Sequence, residues 1–186
     1  MKIALIGKMR TGKDTLGKYL CDEHSFNRFA FGDGIKEVIL EYFPTAFDNG
    51  KPREHYQFIG QAFRQLDPDI WVNRALGKVN RFLEENPDAN IIITDVRQPN
   101  EAKALRDAGF LLVKVESYSS IALDRILKEN DTFNPESLKH ETEVLVDSCP
   151  FDIKIFNNGT LEELYLQGEA LVSVADPVTR DKERDN

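Results

Sequence analysis

The sequence predicts an α/β fold three layers deep, with helices on both faces of a five-stranded parallel sheet. Short apolar runs suited to buried strands alternate with segments of helical period. An apolar share of 41% with 11 glycines in 186 residues is enough for one compact core, and 30% charged residues suit a solvated surface rather than a disordered chain. No apolar run approaches the roughly 18 residues of a membrane span, and Met1-Lys2 precedes only four apolar residues before Gly7, short of a signal-peptide core. The expectation is a cytoplasmic protein. Cys21 and Cys149 form no CxxC pair and are too few for a disulfide framework or a thiolate zinc site, so both are expected as reduced core residues. A net charge of −8 argues against polymeric nucleic acid or an acidic membrane as partner.

Taken in order, residues 2–6 (Lys-Ile-Ala-Leu-Ile) form an apolar run that stops at glycine, as a strand buried in a parallel sheet does. A helix follows from about Lys13, turning Leu16, Tyr19 and Leu20 inward. A second strand is expected at 28–31 and a helix over 35–43, with Ile35, Val38, Ile39 and Tyr42 on one face. Residues 44–52 (Pro-Thr-Ala-Phe-Asp-Asn-Gly-Lys-Pro) read as loop, and 54–66 and 70–83 as two helices with no strand between them. Residues 90–94 give the clearest strand, running into Asp95; Pro99 opens a helix that stops at Gly109. Strands at 110–115 and 152–156 and helices at 119–128 and 160–172 complete the pattern. A polar stretch at 129–139 and a polar tail from Asp176 close no further element. Ligands of such a sheet bind at the carboxyl ends of its strands, which lie just after residues 6, 31, 95, 116 and 156.

Gly7-Lys8-Met9-Arg10-Thr11-Gly12-Lys13-Asp14-Thr15 matches the GxxxxGK pattern of a phosphate-binding P-loop, with the strand before it and the helix after it that the pattern needs. The glycines let the backbone curl around phosphate oxygens, the helix start adds its positive end, and Lys13 reaches the β and γ oxygens. Asp14 stands where Ser or Thr usually meets Mg²⁺, with Thr15 one place later. Its carboxylate is a hard magnesium ligand or a general base, or a simple first-turn acid. Asn90-Ile-Ile-Ile-Thr-Asp95 has the Walker B form, apolar strand then acid, so Asp95 is a second magnesium candidate. Five basic residues against Asp14 alone give residues 1–20 a local +4, leaving −12 for the rest. The acidic total therefore disfavours a polyanionic polymer but not a small phosphate ligand.

Four blocks together resemble the bacteriophage-type deoxynucleoside monophosphate kinases: residues 7–15, Phe-Gly-Asp-Gly-Ile-Lys-Glu at 31–37, Asp-Val-Arg-Gln-Pro-Asn-Glu at 95–101 and Asn-Asn-Gly-Thr-Leu-Glu-Glu-Leu at 157–164. The Gly-Lys-Asp variant of the loop is also similar to animal phosphomevalonate kinase. The resemblance implies a P-loop three-layer αβα kinase domain over 1–172, with an acceptor-binding helical insertion at about 44–85, a lid at about 119–145 and a polar tail at 173–186. It implies ATP and Mg²⁺, with transfer of phosphate from ATP to a deoxynucleoside monophosphate. Gly7, Lys8, Arg10, Thr11, Gly12, Lys13, Asp14 and Thr15 would hold ATP. Arg10, Lys13, Asp14 and Arg97 would act in the transfer. On the acceptor side stand Asp33, Lys36, Asp95, Arg97 and Glu101, with Trp71 as a wall for a base. Arg64 is the acceptor-phosphate candidate, because a planar guanidinium fork suits bidentate phosphate contact; Arg53 and Arg74 share its segment.

The lid would close over the phosphates and supply cations, with Arg125 its ATP contact, but it is poor in arginine, with Arg125, Lys128 and Lys139 its only basic residues, which moves the work to Arg10 and Arg97. His140-Glu141-Thr142-Glu143 is similar to the family's His-x-Ser-Glu block with Thr for Ser. Asn157, Asn158 and Gly159 fall where this fold contacts adenine, or form only a turn before a capping box of Thr160 and Glu163. A kinase for another phosphorylated acceptor, such as phosphomevalonate or dephospho-coenzyme A, and a nucleotide-binding module without catalysis remain the competing readings. The oligomeric state stays open, a homodimer included.

Overall fold

A computed structural model of the chain describes residues 1–48, 50–128 and 144–175. The strands β1 (Lys2–Ile6), β2 (Phe26–Phe29), β3 (Asn90–Val96), β4 (Leu111–Glu116) and β5 (Ile153–Phe156) form one sheet in the order β2-β3-β1-β4-β5. β1 pairs in parallel with both β3 and β4, and β4 with β5. The helices are α1 (Lys13–His24), α2 (Phe31–Tyr42), α3 (Arg53–Leu66), α4 (Ile70–Glu85), α5 (Pro99–Asp107), α6 (Ser119–Lys128) and α7 (Leu161–Ala175). The expected three-layer αβα architecture is present. No helix among the described residues is long and apolar enough to cross a membrane.

The chain divides into two compact units, one made of Met1–Arg28 and the chain from Ala89 onward, the other of Phe29–Asp88. In the first, period-two alternation sends Ile3 and Leu5, Ile92, Val113 and Val115, and Ile155 to one face of the sheet. There they meet Leu16 and Leu20 of α1 and Leu164 and Leu171 of α7, all buried. Tyr19 packs half-buried on the same cluster and stacks on Tyr165 at 4.0 Å between ring centres. Helix α5 packs on β1 and β4, bringing in Ala102 and Leu105, both fully buried. It ends as expected, with Gly109 just beyond it at φ 80°.

The second strand differs from the expected 28–31. Helix α1 is closed by Ser25 in the left-handed region (φ 55°), so the strand begins at once with Phe26, which enters the core. Ala30 is the extended N-cap of α2, and Phe31, 2% exposed, is its first residue. The apolar Ala-Phe pair that mimics a strand end is thus a helix start. Asp33 consequently lies in the first turn of α2 rather than between a strand and a helix, and Lys36 follows it on the same helix, as expected. Within the expected loop at 44–52, Pro44–Phe47 form a short 3₁₀ helix with proline at its start.

In the second unit α2 packs on α3 and α4. Trp71 of α4 is 2% exposed, donates its indole N–H to the Gly60 carbonyl of α3 (3.1 Å) and stacks on Phe63 (5.3 Å). Glu37 of α2 accepts from Arg74 (2.5 Å) and from Lys78 of α4. The Lys78 ammonium, with Arg74 beside it, holds the Glu37 carboxyl below its usual range despite partial burial.

Candidate active site

The segment from Gly7 to Gly12 joins the carboxyl end of the central strand β1 to α1. A curl this tight needs unusual backbone angles, and Arg10 (φ 62°) and Gly12 (φ 98°) are both in the left-handed region. Gly12 is also the N-cap of α1, and its carbonyl takes the first helical bond from Leu16 N–H at 2.9 Å. The Lys8 carbonyl is the hub inside the loop: it accepts from the Thr11 hydroxyl at 3.0 Å and from the Lys13 ammonium at 2.6 Å. Lys13 is only 4% exposed and Thr11 5%. A buried ammonium held on a carbonyl is poised to exchange it for a stronger, anionic acceptor.

This loop lies on a fold shared with known kinases. A solved sugar kinase from Janibacter sp. superposes with a TM-score of 0.60 at 15% identity, covering 94% of this chain and 95% of that one. Shikimate kinase from Acinetobacter baumannii, solved with shikimate, gives 0.56 at 14% identity over 93% and 91%. In sequence, a protein of Acanthamoeba polyphaga mimivirus described as "Putative deoxynucleotide monophosphate kinase" is 28% identical, covering 89% of this chain and 92% of its own length. No family model matches the chain. The chain has the fold of these kinases. The resemblance read from the four sequence blocks stands, since the viral relative carries the same description along nearly the whole chain.

Around the loop the structure gathers part of the expected set. Asp14 and Thr15 are exposed on the first turn of α1, and Asp14 makes no helix cap, that place being taken by Gly12. Asp95, next to last in β3, lies within an irregularity: Ala4 faces Ile93 but Ile6 faces Val96, so β3 carries one residue more than β1 there. Such a bulge re-aims side chains at a strand end. Thr94 beside it is 2% exposed and its hydroxyl has no hydrogen-bond partner among the described residues. Arg97 follows in the turn to α5. Glu101, expected at the acceptor, is 3% exposed and accepts the backbone N–H groups of Arg97 (2.9 Å) and Gln98 (3.1 Å) as half of a capping box. It shapes the turn that presents Arg97.

Three expectations change. Asn157 does not offer its amide to a base: it is 6% exposed, donates from Nδ2 to the Thr11 carbonyl (3.0 Å) and accepts at Oδ1 from Arg125 (3.2 Å). Arg125 reaches the loop as well, donating to the carbonyls of Asn157 (3.2 Å) and Arg10 (3.4 Å). Asn158 accepts from the Tyr118 N–H (2.7 Å), while exposed Gly159 leads into the Thr160 and Glu163 capping box that the sequence offered as the alternative. Trp71 is core of the second unit rather than an open wall, since its ring is stacked and its N–H paired. Lys8 spends its ammonium on Asp147 (2.6 Å), whose carboxyl that ammonium holds below the usual range. In the second unit Lys36 is exposed on α2, Asp33 and Arg64 are half-buried on α2 and α3, and Arg74 is engaged by Glu37. His140, Glu143, Lys139 and most of the expected lid lie outside the described residues.

Two residues near the loop gave no sequence signal of a role. Asp147 sits in the short 3₁₀ turn Val146–Ser148. Lys114 interrupts the apolar β4, is 6% exposed, and pairs with Glu116 (3.1 Å) and Asp147 (3.7 Å), continuing a row of alternating charge from Lys8 to Lys154. Burial works to raise the Glu116 carboxyl, but the ammonium groups of Lys114 and Lys154 outweigh it and leave it lowered. Cys149 is buried and Cys21 half-buried, both free thiols; burial pushes Cys149 up to about 12, so it stays a protonated core group.

The donor set fits a magnesium nucleotide. A Cβ at Gly7 would come within 2.5 Å of the Val115 carbonyl and 2.8 Å of the Thr11 hydroxyl, so the loop closes this tightly only over glycine. Among the described residues no group of three His, Cys, Asp or Glu could hold a metal by itself. Mg²⁺ usually takes one or two carboxylates and completes its shell with phosphates and water, and Asp14 and Asp95 are the carboxylates that would serve.

Proposed function

We propose that the protein transfers the γ-phosphate of ATP to a deoxynucleoside monophosphate, giving the diphosphate and ADP. The observation that carries the reading is the buried Lys13 ammonium inside the glycine-closed loop between β1 and α1. The choice of acceptor is supported by the description of the viral relative that matches nearly the whole chain.

An oxygen of the acceptor phosphate attacks the γ-phosphorus in line, and the bond from that phosphorus to the β–γ bridging oxygen breaks as ADP leaves. The loop backbone and the first turn of α1 hold the β and γ phosphates, and Lys13 exchanges the Lys8 carbonyl for their oxygens. Arg10 in the loop and Arg97 after β3 add positive charge for the equatorial oxygens. Asp14 and Asp95, with Thr15 beside Asp14, are the residues that would hold Mg²⁺, directly or through water, and the ion when bound would supply positive charge to the phosphates. Glu101 fixes the turn that carries Arg97. In the second unit Arg64 is the acceptor-phosphate residue, with Asp33 and Lys36 as further acceptor contacts.

The test is acceptor-dependent ADP release from Mg²⁺-ATP over a panel of the deoxynucleoside monophosphates, ribonucleoside monophosphates, phosphomevalonate, dephospho-coenzyme A and shikimate. Turnover with at least one deoxynucleoside monophosphate, well above the other acceptors, is expected. Turnover confined to a non-nucleotide acceptor would replace the substrate, and ATP binding without turnover on any acceptor would leave a nucleotide-binding module.

A further inference from the structure

We infer that Asn157 is a positioning residue that sets the shape of the phosphate loop from outside it. The inference rests on the reading of residues 7–13 as a phosphate loop, and it gives a residue after β5 a task in binding phosphate rather than base.

Each polar atom of Asn157 has a protein partner. Its N–H donates to the Glu116 carbonyl (2.8 Å), extending the ladder between β5 and β4 and fixing its main chain. Its carbonyl and Oδ1 both accept from Arg125 Nη2 (3.2 Å each), and its Nδ2 donates to the Thr11 carbonyl (3.0 Å). Only this orientation of the amide places a donor on the carbonyl and an acceptor on the guanidinium. The side chain is 6% exposed, so the bond to Thr11 is shielded from water, where an unmade bond is costly.

The consequence lies one peptide further on. In a trans peptide the C=O and the next N–H point in opposite directions. Holding the Thr11 C=O on Asn157 therefore aims the Gly12 N–H away from Asn157. Gly12 is the N-cap of α1, in the left-handed region at φ 98°, and its N–H belongs to the set of amides that a helix start offers to an anion. A Cβ on Gly12 would overlap the Asn157 amide nitrogen, so glycine there serves both the backbone angle and this close approach. Arg125 holds the next carbonyl back, that of Arg10 (3.4 Å), from α6. Two consecutive loop carbonyls are thus held by side chains from α6 and from the end of β5.

The residue type follows from the geometry. A donor and an acceptor must sit on one short planar group: Asp lacks the donor and would set a carboxylate against the Thr11 carbonyl, while Leu lacks both.

Calorimetric titration of the full chain with Mg²⁺-ATP and with inorganic tripolyphosphate, which has no base, separates the two roles open to this position. For Asn157→Ala we expect both ligands to weaken together, by about tenfold, the scale of one buried hydrogen bond lost from preorganisation. Asn157→Asp, which keeps the partner of Arg125 but not the donor to Thr11, should weaken both at least as much. Arg125→Gln should weaken both less. Loss of ATP affinity alone would make Asn157 a base contact and overturn the inference, as would unchanged affinity for both ligands in a variant that melts earlier. If the wild-type chain bound neither ligand, the phosphate-loop reading itself would fall.

Discussion

In the phosphate loop the fold positions backbone groups and one buried ammonium, while in the helical unit Phe29–Asp88 the polar side chains largely engage one another. Gly12 acts through its left-handed main-chain angle, Gly7 through the close approach it allows, and Lys13 through a position fixed by a strand on one side and a helix on the other. Trp71, Arg74, Lys78 and Glu37 sit on helices whose partners are other helices of the same unit, and those partners satisfy them. The difference teaches where a polar residue can be read as functional. A residue whose task depends on local backbone geometry can be assigned from neighbours in sequence; one whose task depends on a free side chain cannot, because residues far along the chain decide whether it is free.

Lys13→Ala bears hardest on this contrast. Loss of its ammonium should lower turnover by about a hundredfold to a thousandfold, the range for removing one preorganised charge donor, with the circular dichroism spectrum unchanged. In the second unit the parallel change, Trp71→Ala, should act on stability instead: about 3–5 kcal/mol for a large buried ring, or roughly 10 °C in Tm. Trp71→Phe should keep KM for the acceptor while lowering Tm, and a change in KM without a change in Tm would make the ring a substrate wall after all. Gly12→Ala, which meets both a left-handed backbone angle and the Asn157 amide, should cost about 1–3 kcal/mol and weaken ATP as well.

Smaller effects follow from charge. Lys78 and Arg74 hold the Glu37 carboxyl below its ordinary 4.5, and Lys8 holds that of Asp147 below its ordinary 3.8. A carboxyl lowered in the folded state contributes stability that is complete above its unfolded value and is lost as pH falls through the folded one. Tm should therefore hold steady down to about pH 4.5 and fall below it, and Glu37→Gln should flatten part of that fall; an unchanged acid profile in that variant would mean that the pair contributes nothing. The smallest effect belongs to Thr94, whose buried hydroxyl lacks a partner among the described residues. Thr94→Val should leave Tm equal or slightly raised, because no bond is lost and an unpaired polar atom is removed; a drop of several degrees would reveal a bond at that hydroxyl.

These contrasts explain what was legible in the chain. The five strands and the helices between them followed from periodicity and from glycine and proline at their ends, because a parallel sheet buries whole apolar runs such as Ile91-Ile92-Ile93. The error at β2 arose because Ala30 and Phe31 are buried for a helix, and apolarity alone does not tell the two apart. The phosphate loop was legible because its motif is a backbone instruction. Asn157 was placed rightly at the end of the last strand but given the wrong neighbour, since nothing in Asn-Asn-Gly states that Thr11, 146 residues earlier, lies within 3.0 Å of its amide. Asp147 and Lys114 left no local trace, because an ion pair between distant segments has no sequence spacing to betray it.

The central claim is that Lys13 and its loop transfer phosphate from ATP to a deoxynucleoside monophosphate. Wild-type and Lys13→Ala protein should be given Mg²⁺-ATP labelled in the γ-phosphate together with the deoxynucleoside monophosphates, and the products separated. The account predicts labelled deoxynucleoside diphosphate from the wild type and a near-complete loss of it in the variant. Equal label transfer by both proteins, or none from the wild type to any deoxynucleoside monophosphate, would contradict it.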